Sequence, residues 1–171
     1  PEGELLWGRD WNVIGAGYSE ATDIAIDSAG NAIVSGFFNA QNFPDDNTDD
    51  GVLLKWTPEG ELSWARRFNG AETDSFNSLN VDGTDIYVGG TSDSLGTDPD
   101  ALTMRLDGSG SLVWARRYNW YRERVQDTQL QITPSGATAL FVLTTQRDAL
   151  VMPHVFPHWM RYDLDGNFSY H

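Results

Sequence analysis

The sequence predicts an all-β protein built from a repeated four-stranded antiparallel unit, and three observations predict it. One stretch recurs: Gly60-Glu-Leu-Ser-Trp64-Ala-Arg-Arg-Phe68-Asn69 returns as Gly110-Ser-Leu-Val-Trp114-Ala-Arg-Arg-Tyr118-Asn119. A looser copy runs from Gly3 through Trp7 to Asn12, and a truncated one from Gly166 through Tyr170 to His171. Gly3 to Gly60 is an offset of 57, Gly60 to Gly110 of 50 and Gly110 to Gly166 of 56, the range of repeats that stack supersecondary units. Apolar residues alternate with polar ones over short runs, the period of a strand. No window sustains a 3.6-residue period, and Gly or Asp interrupts every candidate, so no helix of consequence is expected.

The repeat phases the chain into units at about 1–57, 58–107 and 108–163, with the start of a further unit at 164–171. In the second unit Leu62, Trp64, Arg66 and Phe68 fall on one face of a strand, and Asn69-Gly70 offers a tight turn. Phe76 to Val81 is a second alternating run, stopped by the hairpin signal Asp82-Gly83. Ile86-Tyr87-Val88 is a β-branched and aromatic strand ended by Gly89-Gly90, and Ala101 to Leu106 is the fourth. The first unit repeats this with Ile24-Ala-Ile26, the turn 27–31, Ala32 to Gly36, a long acidic loop and Val52 to Trp56. The third has Leu130-Gln-Ile132, the turn 133–136, Ala139 to Leu143 and Trp159 to Tyr162. Four-stranded units of this length, none able to bury its faces alone, are the signature of β-propeller blades.

A family resemblance fits the same residues. Asp100-Ala-Leu-Thr-Met-Arg-Leu-Asp107-Gly-Ser-Gly110-Ser-Leu-Val-Trp114-Ala-Arg-Arg-Tyr118 resembles the extracellular SBBP type of β-propeller repeat. Asp27-Ser-Ala-Gly30-Asn31-Ala-Ile-Val34-Ser-Gly36 matches the second half of that pattern, and Asp82 to Gly90 matches it in part. The third unit departs most, with Thr133-Pro134 in the acidic turn and Tyr170 in place of Trp. The resemblance implies a secreted or cell-surface protein with a scaffold or binding role, and it brings no catalytic residues. A lesser likeness is to quinoprotein propellers, whose blades also end in a Gly-x-x-x-Trp strand; nothing in the sequence supplies their cofactor site.

Propellers close with about four to eight blades, so three units fall short of a ring. The chain is therefore expected to belong to a larger array, with other blades in the same polypeptide or on partner subunits. The motif residues Trp7, Trp64, Trp114, Tyr170, Gly60, Gly110 and Gly166 are expected to be structural, the tryptophans wedged between neighbouring blades. Arg66-Arg67 and Arg116-Arg117 are expected to neutralise nearby acids.

A formal charge of −14 disfavours nucleic acid and anionic membrane surfaces as partners. No apolar run approaches a membrane span. The absence of cysteine excludes disulfides and thiolate chemistry within these residues. The loop 45–50 is dense in hard oxygen ligands, which makes Asp45, Asp46, Asp49 and Asp50 the candidates for Ca²⁺, against the plainer reading of a solvated loop. Asp163-Leu-Asp165-Gly-Asn167 starts like an EF-hand loop but no bidentate Glu follows. His154 and His158 have a metal-like spacing only on a helix, which Pro153 and Pro157 oppose. The insertion from Gln146 to Trp159 places Phe156, His158 and Trp159 where the other units have polar loops, a candidate surface for glycans or protein partners. Gly15-Ala-Gly17 lacks the helix a dinucleotide fingerprint needs.

The function expected is that of a non-enzymatic structural or interaction module with no cofactor beyond the calcium candidate. Two other classes stand beside it: a carbohydrate-binding, lectin-like propeller, and a fragment of a quinoprotein- or glycosidase-like propeller enzyme whose catalytic groups lie elsewhere.

Overall fold

A computed structural model of the protein describes residues 3–11, 17–39, 48–70, 73–93, 100–118, 123–132, 138–146 and 155–169, with the backbone alone in 123–159 and at Ser169. It is all-β, with no helix among the described residues. Among the described residues twelve strands form three four-stranded antiparallel sheets, each a meander in chain order. The first sheet holds β1 (Ser19–Ile26), β2 (Ala32–Asn39), β3 (Asp49–Trp56) and β4 (Leu62–Phe68). The second holds β5 (Asp74–Asp82), β6 (Asp85–Ser92), β7 (Asp100–Leu106) and β8 (Leu112–Tyr118). The third holds β9 (Glu123–Ile132), β10 (Thr138–Gln146), β11 (Val155–Tyr162) and β12 (Phe168–Ser169).

The sheets are one strand out of phase with the sequence units. The motif strands of Trp64 and Trp114, β4 and β8, close the preceding sheet as its outer strand instead of opening the next one. Turn length decides this. A five-residue turn, 57–61, carries β3 straight back into β4, with Gly60 N–H donating to Thr57 O at 2.9 Å and Thr57 N–H to Glu61 O at 2.8 Å. The same backbone turn recurs at 27–31, 107–111 and 163–167. Asn69-Gly70 closes no hairpin; it starts the connection from one sheet to the next.

Two strands run through glycines where the sequence suggests stops. β2 continues past Gly36, and β6 past Gly89 and Gly90. The inner strands carry bulges opposite these positions, between Ala21 and Asp23 and between Phe76 and Ser78. A Cβ at Gly36 would overlap the Glu20 carbonyl oxygen, and one at Gly90 that of Ser75. Glycine is there for close backbone approach across a bulge.

Alternation gives each sheet two faces, called leading and trailing here for their order along the chain. The trailing side chains Ile33 and Leu53 of the first sheet pack on the leading side chains Phe76, Leu79, Val88 and Met104 of the second. Tyr87 and Trp114 of the second sheet pack in turn on Met160 and Tyr162 of the third. The inner strands are neighbours, β5 against β1 and β9 against β5. They are also bonded: Thr22 Oγ1 donates to Phe76 O at 2.6 Å, and Leu79 N–H donates to Asp23 Oδ2 at 2.8 Å.

Candidate functional site

The recurring motif builds the same joint three times. In each copy the Trp and the Arg two residues on lie on one face of the strand and reach the β-turn of the following repeat. Trp7 Nε1 donates to Pro58 O at 2.9 Å, Trp64 Nε1 to Gly108 O at 3.3 Å and Trp114 Nε1 to Leu164 O at 2.9 Å. Arg9 Nε donates to Gly60 O at 2.8 Å, Arg66 Nε to Gly110 O at 3.1 Å and Arg116 Nε to Gly166 O at 2.7 Å. Arg66 and Arg116 also donate through Nη2 to the carbonyls of Ser109 and Asp165. Turn carbonyls that the strand ladder leaves unpaired thus acquire donors from the neighbouring repeat.

The tryptophan rings settle the identity of the turn glycines. Gly60, Gly110 and Gly166 have φ of 78°, 78° and 74°. A Cβ on them would lie 2.8 Å from the Trp7 ring, 3.1 Å from that of Trp64 and 2.7 Å from that of Trp114. The residue must therefore both adopt the left-handed conformation and present a bare face to an indole. Gly-x-x-x-Trp in one repeat is the record of two halves of successive joints. Trp7, Trp64, Trp114 and the three glycines make these contacts; Tyr170 lies outside the described residues.

The two arginines of each pair divide. Arg66 and Arg116 donate to turn carbonyls, and their charges also help lower the Asp107 and Asp163 carboxyls of those turns. Arg67 and Arg117 point to the other face and pair with Asp50 (2.5 Å) and Asp100 (2.7 Å) at the starts of β3 and β7. A third cation, not singled out in the sequence, reinforces the second and third joints. Lys55 holds Asp27 of its own sheet at 2.8 Å and donates to Gly108 O at 3.0 Å. Arg105, at the same register in β7, holds Asp85 at 2.6 Å and donates to Leu164 O at 2.7 Å. Their common position one residue before the end of the third strand was the available signal.

Asp27 is the most perturbed acid of these joints. Burial pushes its carboxyl up, but hydrogen bonds from Lys55, from the Asn31 side chain and from the Asn31 and Ala29 N–H groups outweigh that. They hold it at about 2. Asp107 is lowered by the Ser109 hydroxyl and by turn N–H groups, and Asp163 by Asn167 and its turn. These carboxylates accept hydrogen bonds that close their own turns, so the Asp163–Asn167 resemblance to a calcium loop resolves into turn chemistry.

Of the calcium candidates, Asp50 is fully buried against Arg67, while Asp49 accepts from the Tyr18 hydroxyl and from Asn39 Nδ2. Asp45 and Asp46 lie outside the described residues, as does His154. Among the described residues no group of three His, Asp or Glu is placed to hold a metal. Phe156, His158 and Trp159 are not on a loop: β11 begins at Val155, so all three sit in a strand paired with β10.

A groove of about 200 Å³ opens on the leading face of the first sheet, lined by Arg9, Trp11, Ala21, Val34, Leu54 and Trp56 among others. It lies between residues 3–11 and the sheet. No protein-family model matches the chain, and no curated protein matches it in sequence.

Proposed function

We propose that the three sheets are consecutive blades of an SBBP-type β-propeller. In this reading the chain is a non-enzymatic structural and interaction module of a secreted or cell-surface protein or assembly. It works through protein–protein contacts made by its sheet faces. The observation that carries the reading is the joint: the most distinctive residues of the sequence are spent three times over on the backbone of the next repeat. Catalysis calls for a singular constellation of groups, whereas a thrice-repeated contact fixes successive units in one relation. The inner-strand contacts between β1, β5 and β9 support radial stacking of blades.

A glycan array combined with an absorption spectrum of protein purified from its source tests this reading. We expect a blank array and no cofactor band. Saturable binding to one glycan class would favour a lectin-like propeller. A bound chromophore would favour a propeller enzyme of quinoprotein type. Antibody staining of intact source cells tests the location, with staining only after lysis as the contrary result.

A further inference from the structure

We propose that Asn69-Gly70 is a site of spontaneous covalent modification, converting to isoaspartate within the folded chain. The pair leaves β4 and starts the connection to the second sheet. The reaction needs a side-chain amide free to turn on its own backbone, and a following nitrogen that no side chain shields. Asn69 is exposed, and its amide has no hydrogen-bond partner among the described residues. The other described asparagines differ. The amide of Asn31 is held by Asp27, that of Asn39 by Asp49 and that of Asn167 by Asp163. Asn77 and Asn80 lie inside β5, where the strand ladder fixes the backbone. In the other copies of the motif the residue after asparagine is Val13 or Trp120, whose bulk crowds such an attack. At position 70 it is glycine, with neither a side chain nor a restricted backbone.

The atoms balance without an enzyme or a cofactor. The Gly70 nitrogen gives its proton to solvent and attacks Asn69 Cγ. The Cγ–Nδ2 bond breaks, and Nδ2 leaves as ammonia. Water then opens the succinimide. Cleavage at Cγ gives aspartate at position 69, and cleavage at the α-carbonyl carbon gives isoaspartate, with the main chain running through Cβ and Cγ. The Asp-Gly pairs at 50–51, 82–83, 107–108 and 165–166 are poorer substrates, because a carboxylate ionised at neutral pH is a weak electrophile.

The fold sets both the pace and the consequence. Gly70 N–H donates to Asp74 Oδ2 at 2.5 Å, and Asp74 is buried at the start of β5. Attack waits for that bond to open, and the succinimide, which has no N–H there, cannot remake it. Isoaspartate then lengthens the main chain by a methylene and sets a free carboxylate near that of Asp74, where like charges repel. Both changes loosen the connection between the first two sheets, so the pair records the age of the molecule at the place where those sheets are tied.

Incubation of the full chain in neutral buffer for weeks, followed by peptide mapping with mass spectrometry, tests this. The expected result is a mass gain equal to the exchange of NH₂ for OH, confined to the peptide that holds Asn69. Isoaspartyl methyltransferase should label that peptide. Hydroxylamine, which cleaves succinimides, should cut the native chain between residues 69 and 70, a readout that needs no variant. Gly70→Ala should slow the mass gain at least about tenfold. Aged protein should exchange amide hydrogens at the start of β5 faster than Asn69→Asp, which adds the charge without the methylene. Modification only in urea-unfolded chain, native protein that resists hydroxylamine, or a mass gain spread evenly over other asparagines would overturn the proposal.

Discussion

If an indole resting on a left-handed glycine is what joins each repeat to the next, Trp114 and Gly166 must be energetically coupled. Trp114 is buried between the second and third sheets, so Trp114→Ala should cost about 4 kcal/mol, the usual loss for a large buried aromatic. Gly166→Ala meets two penalties. A φ of 74° costs an L-residue about 1 kcal/mol, and a methyl 2.7 Å from the ring adds about 2 kcal/mol of overpacking. In the Trp114→Ala background the second penalty disappears. The double variant should then be more stable than additivity predicts by about 2 kcal/mol, within the range of contacting pairs. Trp114→Phe separates ring from hydrogen bond: it keeps most of the burial but loses the bond to Leu164 O, for about 1 kcal/mol. Urea unfolding followed by far-ultraviolet circular dichroism measures the wild type and the four variants without relying on indole fluorescence. Additivity within about 0.4 kcal/mol would refute the reasoning, because the glycine would then be indifferent to the ring.

Three further outcomes follow from the same contacts. The Asp27 carboxyl, held at about 2 against an ordinary 3.8, stabilises the fold above pH 4 and loses that contribution as pH falls through 4 towards 2. Asp27→Asn should therefore cost about 2 kcal/mol at neutral pH, and its stability should fall less steeply over that acid interval; parallel pH profiles would contradict this. Gly90→Ala should cost about 3 kcal/mol, since the Ser75 carbonyl is backbone and gives way poorly; a loss below about 1 kcal/mol would show that the bulge can move. Arg67→Ala leaves the carboxylate of buried Asp50 without its guanidinium and should cost about 2 kcal/mol, discounted for the partial exposure of the arginine. Arg66→Ala, which frees turn carbonyls that water can reach, should cost about 1 kcal/mol. Equal losses at the two positions would contradict their separate roles, and urea melts of both variants measure the difference.

Much of this fold is legible in the sequence because its turns are chemical. Asp27 and Asp107, with glycine three residues later, fix both the acceptor and the left-handed position of the turn. Asp82-Gly83 is likewise read correctly as a hairpin, with Asp82 opposite Asp85. The sheet boundaries are less legible. A repeat has no natural origin, and only the pairing of Leu54 with Ala65, two strands joined by one tight turn, shows that the Trp strand closes a sheet. Gly36 and Gly90 mislead for a physical reason: glycine marks strand ends and bulge partners alike, and the bulge lies on another strand. The division of Arg66 from Arg67 follows from the two-residue period. Their opposite targets, a turn carbonyl 44 residues downstream and an aspartate in the adjacent strand, required the packed sheets. The reading of Phe156, His158 and Trp159 as a loop fails because Pro153 and Pro157 suggest one. Pro157, however, stands on a stretch of β11 whose described pairing is to β10 alone, where a missing N–H is tolerated.

The central claim is that the tryptophan–arginine motif joins each repeat to the next and is not a ligand site. Native-state hydrogen exchange of the wild type and of Trp64→Ala/Arg66→Ala tests it most directly. Protection should fall on both sides of the joint, in β4 and in the turn at 107–111 with the start of β8, and stay unchanged in β10 of the third sheet. Loss confined to β4, or no loss at the 107–111 turn, would contradict the claim.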